Sequence, residues 1–413
     1  MKRLFTFLML QTLVLALWAQ TCRTASCCHS ESPSQWTGTW ATAVEYTGQG
    51  DMPRHSLAST TLRQVVRVSM AGNENLSNCP TTLRLQLSNE FSDAPVEIRC
   101  VYIANALDSS DIQAGSARYL TFKGQRAVTI AAGATVWSDE LTTFPLKALS
   151  RVAITVSYGK NVPTHATSHR GSRTTSYIAS GKVGPQQKFS TIEKVDHWYN
   201  IAKLEVRSLA TAIAVLGNSI TDGRGSTTNQ QDRWTDFLAT ALNRQQPVGV
   251  LNLGIGGNCV VEGGLSQPAL QRFDRDILGQ HHATRLILFE GTNDIGLCPK
   301  GQSEQVVDRL ISAYVQLIDK AHAAGMTVYL ATITPFKGNG WYTPFHEAAR
   351  QEVNKWIRTS GKADVVIDFD RLVRDPANPD RLRPDYSDDW LHLNPTGYEA
   401  MGEYAASLLL NNL

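Results

Sequence analysis

The chain has 413 residues, of which 42% are apolar and 18% charged, and its net charge is only +2. This composition argues against long disordered segments, and the small net charge without a long basic stripe argues against a nucleic-acid partner. The length exceeds what one hydrophobic core usually serves, so we expect two domains.

The N-terminus has the pattern of a targeting segment. Two basic residues precede an apolar run over residues 4–18, which is too short to span a membrane but matches a signal-peptide core. We therefore expect residues 1–26 to form a signal peptide and short linker, and the protein to be exported to the periplasm or the medium. A lipid on Cys22, Cys27 or Cys28 would hold it at the cell surface, and membrane association is expected only through such an anchor.

The next part of the chain is typical of strands. Short runs that alternate apolar and polar residues are separated by turn residues, and no long helical stripe intervenes. The predicted strands are 62–69, 83–88, 96–103, 128–130, 152–156 and 174–178. Short strands at close spacing favour a β-sandwich domain, jelly-roll-like, over residues 36–207. No catalytic pattern is visible in this region.

After residue 208 short apolar runs alternate with amphipathic segments of helical length. The predicted strands are 212–216, 248–253, 286–289, 328–333 and 365–369, and the predicted helices are 234–242, 304–324, 347–357 and 396–410. This alternation predicts an α/β domain over residues 208–413, with a parallel sheet covered by helices on both faces. In such sheets, sites form at the carboxyl ends of the strands.

Polar segments lie at those strand ends and suggest acyl transfer. GNSITDG (217–223), NLGIGGN (252–258) and EGTNDIG (290–296) follow the first three strands, and DWLHLN (389–394) precedes the last helix. Ser219 is a candidate nucleophile, His392 its base, and Asp389 the carboxylate that orients the imidazole. The Gly257 N–H and the Asn293 side-chain amide are candidate donors to an oxyanion.

Each of these residues also has a structural explanation when taken alone. Ser219 is equally suited to cap a helix, the glycines around Gly257 to form a tight turn, and Asn293 to occupy a turn. A single histidine such as His392 is more often structural than catalytic. Their joint occurrence, in this order and at these strand ends, favours the catalytic interpretation.

These segments resemble the four sequence blocks of the SGNH (GDSL-type) hydrolases. The blocks match Ser219 in GNSITDG, Gly257 in GIGGN, Asn293 in GTND and His392 in DWLH. The resemblance implies that Ser219, His392 and Asp389 form the triad. It also implies that the Ser219 N–H, the Gly257 N–H and the Asn293 side chain form the oxyanion hole. It further implies a flavodoxin-like three-layer α/β/α fold and ester hydrolysis without a metal or cofactor.

The chain departs from the family pattern at Asn218, where the family commonly has Asp before the serine. The two side chains have nearly the same shape, so the change concerns local hydrogen bonds rather than activity. Asp388 competes with Asp389 for the acid role, and the family spacing favours Asp389. The segments WTGTWATA, TLRQVVRVS and LRLQLSNEF are similar to a β-rich domain that precedes this hydrolase in some secreted bacterial members.

We therefore expect an esterase acting on a short acyl group, with an acylated small molecule or an O-acetylated polysaccharide as substrate. A lipase, a thioesterase or a lysophospholipase is an alternative within the class. A carbohydrate-binding protein with an inactive hydrolase domain is another, against which the complete residue set argues. The aromatic residues Trp234, Trp341, Tyr342 and Trp390 are candidates for a sugar-binding rim, with core packing equally compatible for Trp234. The sequence gives no indication of oligomeric state.

The cysteines beyond the targeting segment are Cys79, Cys100, Cys259 and Cys298, and no pair has metal-ligand spacing. Export permits disulfides, and a Cys259–Cys298 bond would tie the two oxyanion loops together. The alternative is a pair of small buried thiols without a bond. Pairing of Cys79 with Cys100 is likewise left open.

Overall fold

The computed structural model describes residues 35–72 and 81–411, and all statements below concern this part of the chain. The predicted targeting segment with its three cysteines, and Cys79, lie outside it. Among the described helices, none combines the length and the apolar character needed to cross a membrane.

The β-rich half of the molecule consists of strands that pair only in antiparallel fashion. They are β1 (Trp36–Ala41), β2 (Glu45–Tyr46), β3 (Thr60–Arg67), β4 (Thr81–Ser88), β5 (Val96–Asn105), β6 (Arg118–Leu120), β7 (Val128–Ile130), β8 (Thr135–Trp137), β9 (Leu141–Phe144), β10 (Arg151–Tyr158), β11 (Thr167–Arg170), β12 (Ser176–Ser180), β13 (Thr191–Val195), β14 (His197–Tyr199) and β15 (Ile201–Arg207). One sheet has the order β1-β15-β4-β8 with β9 on β4, and a larger one the order β13-β12-β3-β10-β5-β6 with β7 on β5. A small sheet has the order β14-β11-β2. Leu85 of β4 and Ile154 of β10 belong to one buried core, so the two larger sheets pack as a sandwich.

The α/β half follows. Its elements are β16 (Ala212–Gly217), α1 (Ser219–Asp222), α2 (Trp234–Asn243), β17 (Gly249–Gly254), α3 (Ala269–Phe273), β18 (Ala283–Phe289), α4 (Thr292–Gly296), α5 (Ser303–Ala323), β19 (Thr327–Ala331), α6 (Pro344–Thr359), β20 (Val365–Ile367), α7 (Phe369–Val373), β21 (Arg374–Asp375), β22 (Asn378–Leu382) and α8 (Pro395–Leu410). The parallel sheet has the order β17-β16-β18-β19-β20, so the first strand lies between the second and the third, as expected. The predicted α/β fold with a preceding antiparallel β-rich region is confirmed.

Side chains of β16, an inner strand of the parallel sheet, alternate between the two faces of that sheet. Ala214 and Leu216 join the core that contains residues of α5 and α6, whereas Ile213 and Val215 join the core formed with α2 and α8. Helices therefore cover both faces of the sheet at β16, and Ser219 follows just beyond the carboxyl end of this strand.

The two halves are packed directly against each other along β1 and β17. Gly38 of β1 lies close to Gly249 of β17. A Cβ added at Gly249 would clash with the Gly38 carbonyl oxygen. The backbone N–H of Val250 on β17 donates to Ser69 Oγ of the β-rich half at 3.0 Å. Glycine at these positions permits the backbone approach, and a side chain there would force the halves apart.

Candidate active site

Ser219 lies just beyond the carboxyl end of β16. The side chain of Asn218 accepts a hydrogen bond from the Ile220 N–H at 3.0 Å and so caps the short helix α1. Gly223 then ends α1 with a left-handed φ of 101°. Asn218 thus supplies the same acceptor oxygen that an aspartate would, so the departure from the usual motif leaves the serine turn intact.

Ser219, His392 and Asp389 form a continuous chain of hydrogen bonds. Ser219 Oγ lies 2.9 Å from His392 Nε2, and His392 Nδ1 lies 2.7 Å from Asp389 Oδ2. With the ring proton on Nδ1, the imidazole donates to the carboxylate and accepts from the serine hydroxyl. The structure therefore brings the first and the last predicted segments together in the order nucleophile, base and acid.

The Asp389 carboxylate is fixed by the loop that carries the histidine. Its Oδ1 accepts from the backbone N–H of His392 at 2.7 Å and of Leu391 at 3.0 Å. Burial by itself would raise the pKa of Asp389, but the ring and backbone hydrogen bonds of His392 lower that pKa well below its usual range. The carboxylate that contacts the imidazole is that of Asp389 and not that of Asp388.

The loops with Gly257 and Asn293 lie side by side and are bonded to each other. Asn293 is buried in α4, and its Nδ2 donates to the Asn258 carbonyl at 2.6 Å. Gly257 has a φ of +71°, which favours glycine, and its carbonyl accepts from the Leu265 N–H at 2.8 Å. The remaining Nδ2 hydrogen of Asn293 is therefore not used by this bond, since an amide nitrogen carries two.

Arg272 is a buried side chain that the sequence analysis missed. Its guanidinium donates to the carbonyls of Gly217 at 3.1 Å and Leu253 at 2.7 Å, to Asn258 Oδ1 at 2.9 Å, and to Asp276 at 3.0 Å. One side chain thus ties the ends of β16 and β17 to the loop that bonds Asn293. No local motif marks this arginine, because its partners come from segments far apart in the sequence.

Replacing Arg272 with methionine is expected to destabilise the protein by about 3–5 kcal/mol. The buried carbonyls of Gly217 and Leu253 and Asn258 Oδ1 would lose a donor, and Asp276 would lose one of its two arginine partners. Arg275→Met is the matched control, since Arg275 bonds the same carboxylate at 2.7 Å but is partly exposed. Chemical denaturation of both variants measures the difference. Equal, small losses for the two would contradict the role given to Arg272.

The cysteines of the site loops are free thiols. Cys259 and Cys298 are both buried and unbonded, as is Cys100 of β5. Burial raises the pKa of the thiols of Cys259 and Cys298, so they are protonated at neutral pH. The Cys259–Cys298 disulfide that the sequence left open is therefore not formed, and packing accounts for both residues. The partner suggested for Cys100 is Cys79, which lies outside the described residues.

The aromatic candidates separate into two groups. Trp234 is fully buried and packs edge-on against Phe289 and Phe369, so it belongs to the core. Trp341 and Trp390 are half-buried and lie near the site. Within residues 35–72 and 81–411, no group of three or more His, Cys, Asp or Glu side chains is arranged to hold a metal ion.

Part of the chain matches a known protein family. Residues 215–400 match the GDSL-like lipase/acylhydrolase family. No curated protein sequence matches the chain.

Three solved structures are similar, at low identity, to about half of this chain. A GDSL-like lipase from Bacteroides thetaiotaomicron is 20% identical over 49% of this chain and 89% of its own, with a TM-score of 0.38. The aryl esterase of M. smegmatis is 16% identical over 49% and 100%, with a TM-score of 0.38. A carbohydrate acetylesterase family member from Sinorhizobium meliloti is 14% identical over 48% and 97%, with a TM-score of 0.39. By the family match, residues 215–400 of this chain are a domain of the GDSL-like lipase/acylhydrolase family, a family of ester-cleaving enzymes.

Proposed function

We propose that the protein is an exported serine esterase that removes short acyl groups, O-acetyl groups on carbohydrates in particular, through Ser219, His392 and Asp389. The observation that carries this proposal is the hydrogen-bond chain from Ser219 Oγ through the His392 ring to Asp389, with links of 2.9 and 2.7 Å. The export part rests on the N-terminal sequence pattern alone.

In the first half of the reaction, Ser219 Oγ attacks the ester carbonyl carbon while His392 Nε2 takes the hydroxyl proton. The negative charge that develops on the carbonyl oxygen is stabilised by the Ser219 and Gly257 N–H groups and the Asn293 amide. Collapse of this tetrahedral intermediate breaks the bond to the alcohol. The imidazolium returns its proton to the leaving alkoxide, and the acyl group remains on Ser219.

In the second half, water attacks the acyl-enzyme, and His392 takes one of its protons. The same donors stabilise the second oxyanion, and its collapse releases the carboxylic acid and regenerates the serine hydroxyl. Asp389 keeps the ring oriented throughout and stabilises the imidazolium, since its carboxylate stays ionised at the low pKa described above. All steps use groups of this chain, water and the ester.

The room beside Gly257 favours a short acyl group. A Cβ placed on Gly257 would lie 2.9 Å from Leu265 Cδ1, so this side chain packs directly on Gly257. An acyl chain whose carbonyl oxygen is held by Gly257 meets Leu265 within a few carbons. Acetyl and propionyl esters should therefore fit best.

We expect kcat/KM for nitrophenyl esters to be highest with two or three acyl carbons and to fall as the chain lengthens. Each methylene that finds an apolar groove would instead add about 0.8 kcal/mol of binding. A panel of esters of increasing acyl length measures this. Leu265→Ala should shift the optimum toward longer chains if Leu265 limits the space, and an activity maximum at about eight or more carbons in the native protein would contradict the proposal.

A lipase-type or lysophospholipase-type activity is the second candidate, and two exposed side chains favour it. Leu265 and Leu297 are 50% and 54% exposed and belong to the loops that follow Gly257 and Asn293. If they bind a long acyl chain, Leu265→Ala lowers kcat/KM for long esters instead of raising it. The same panel therefore separates the two candidates.

The proposed carbohydrate alcohol is supported by the aromatic residues near the acid loop. Trp390 follows Asp389 directly, and Trp341 packs on Gly296, three residues beyond Asn293. Asn339 joins them, accepting from the Trp341 N–H at 3.1 Å and donating to the Asp389 carbonyl at 3.0 Å. Because Arg381 lies over the Trp390 ring at 4.3 Å, the half-exposed ring of Trp341 is the aromatic surface proposed to contact a sugar. Release of acetate from acetylated polysaccharides, compared with nitrophenyl acetate, tests this, and Trp341→Ala should affect the polysaccharide alone.

A further inference from the structure

Asp222 lies three residues after the proposed nucleophile, in the same helical turn, and is almost completely buried. Its backbone N–H donates to the Asn218 carbonyl at 2.8 Å, and its carbonyl accepts from Arg233 Nε at 3.1 Å. A Cβ on Gly256 would lie 3.5 Å from the Asp222 carboxylate. This carboxylate therefore sits between the turn that carries Ser219 and the loop that carries Gly257.

Both side-chain partners of this carboxylate come from the β-rich half. His169 Nε2 of β11 lies 2.9 Å from Asp222 Oδ1, and Arg173 donates to Oδ2 at 3.0 Å. Burial alone would lower the pKa of His169 and raise that of Asp222. The hydrogen bond and charges between them prevail. The pKa of His169 therefore lies above its ordinary value, to which Glu45 also contributes, and that of Asp222 lies below its ordinary value, to which Arg173 also contributes. These contacts favour the charged forms of both side chains.

His169 itself is held by the β-rich half. Its Nδ1 lies 2.9 Å from the Ala43 carbonyl, and its ring stacks on Trp198 at 5.7 Å between centroids. Arg173 is one-quarter exposed and has a less crowded setting. The rigid member of the pair is therefore His169, whereas Arg173 tolerates substitution more readily.

A second set of bonds connects the same region of the β-rich half to the loop after α1. Asn229 donates its backbone N–H to the Arg173 carbonyl at 2.9 Å and accepts from the Thr175 N–H at 2.8 Å. That loop in turn touches the catalytic base, since a Cβ on Gly225 would lie 3.5 Å from His392 Cβ. Contacts from one segment of the β-rich half thus reach both ends of the proposed Ser219–His392 pair.

We infer that the segment His169–Thr175 of the β-rich half positions the catalytic groups of the α/β half, with Asp222 as the positioning residue that links it to the Ser219 turn. This rests on the proposed function for its effect on turnover. A shift of the turn by a fraction of an ångström changes the approach of Ser219 to His392 and to the ester, and misplacement by about 1 Å costs on the order of 100-fold in rate. The β-rich half is therefore part of the active-site scaffold and not only an appended binding module.

The test compares two arginines that both bridge the halves. Arg173→Met removes a bond to the Ser219 turn. Arg67→Met is the matched control, because Arg67 of β3 bonds the Asp236 carbonyl and Thr240 Oγ1 of α2, at 3.1 and 2.9 Å. Arg67 reaches the Ser219 turn indirectly, through Asp236 and Arg233, whereas Arg173 bonds Asp222 itself. Asp222→Asn keeps the shape of the central residue and removes its charge. For each variant, kcat, KM and thermal stability are measured on the full chain with a nitrophenyl ester.

We expect kcat to fall about tenfold in Arg173→Met and about 100-fold in Asp222→Asn, with KM close to the wild-type value. Arg67→Met should keep the wild-type kcat even though it loses comparable thermal stability. Arg173→Lys should restore part of the lost turnover, because the charge returns. A wild-type kcat in both Arg173→Met and Asp222→Asn would overturn the inference, as would a change confined to KM, which would make Arg173 a substrate-binding residue.

A readout without turnover separates this inference from the proposed function. The proton between His392 Nδ1 and Asp389 gives a downfield NMR resonance, which is assigned by its loss in His392→Gln. Its position should change in Arg173→Met and Asp222→Asn but not in Arg67→Met, whether or not any ester is hydrolysed. An unchanged resonance in all three variants would overturn the inference even if the wild type proves to be an active esterase.

Discussion

Ser219→Ala is expected to lower ester turnover by about a million-fold, to the level left by the remaining groups of the site. The hydroxyl that lies 2.9 Å from His392 Nε2 is the attacking atom, and no acyl-enzyme forms without it. His392→Ala should be similarly severe, because the members of a triad act as a unit. Steady-state hydrolysis of a nitrophenyl ester by the purified variants measures both losses.

Folding must be shown to be unaffected in the same samples. Ser219 is half-buried and Ala removes one oxygen, so the thermal unfolding midpoint should stay close to that of the wild type. Ser312→Ala, on the exposed side of α5, controls for the loss of a serine elsewhere. Turnover by Ser219→Ala at the wild-type rate would remove the serine from the mechanism.

Asn293→Ala should lower kcat by about 100- to 1000-fold, which is the usual loss when one oxyanion donor is removed. KM should change much less, because the bond strengthens chiefly in the transition state. The same steady-state measurements, with substrate varied, give the two constants separately. A rise of KM alone would make Asn293 a substrate-binding residue.

The alternative explanation for such a loss is structural, because Asn293 also donates to the Asn258 carbonyl at 2.6 Å. The unfolding midpoints test the structural explanation, and Asn293→Asp tests the donor role. It keeps the shape, but its ionised carboxylate can donate neither to an oxyanion nor to the Asn258 carbonyl. Equal loss of kcat in both variants, with similar unfolding midpoints, would agree with the donor role, whereas retained activity in Asn293→Asp would contradict it.

Periodicity in the sequence was sufficient to predict the five strands of the parallel sheet and the four longest helices of the α/β half, but not its shorter elements. The predicted helix 304–324 corresponds to α5 (Ser303–Ala323), and the predicted strand 212–216 to β16 (Ala212–Gly217). These elements have one consistently apolar face, or are apolar throughout, because the sheet is covered on both sides. The apolar pattern in the sequence therefore reflects which side chains the fold buries.

The prediction was less accurate where tertiary contacts decide the backbone. The strand predicted at 174–178 begins instead at Ser176, as β12 (Ser176–Ser180). Thr175 donates its N–H to Asn229 of the other half, and Ser172 Oγ donates to the Thr174 carbonyl, so these residues form a turn at the interface. The alternation of apolar and polar residues in this segment does not indicate that Thr175 bonds a residue as distant in the sequence as Asn229.

The candidate site likewise contains residues that the sequence predicts and residues that it does not. Ser219, Asn293, Asp389 and His392 stand in short motifs. The structure joins the side chains of Ser219, His392 and Asp389 by hydrogen bonds and bonds Asn293 to the loop that carries Gly257. The residues that hold these motifs in place, Arg272 among them, have no local signature, because their role arises from contacts between distant segments. Likewise, the presence of Cys259 and Cys298 on neighbouring loops allows a disulfide chemically but does not give the distance between the two thiols.

The contact between Ser69 and Val250 has a consequence for solubility. β17 is an edge strand of the parallel sheet, and open edges are templates for pairing with other chains. The Ser69 hydroxyl accepts a hydrogen bond from the Val250 N–H, on the open side of β17. β1 lies against the same strand where Gly38 contacts Gly249. The β-rich half thereby blocks strand addition at this edge, so an α/β half produced by itself would expose an apolar strand that invites aggregation.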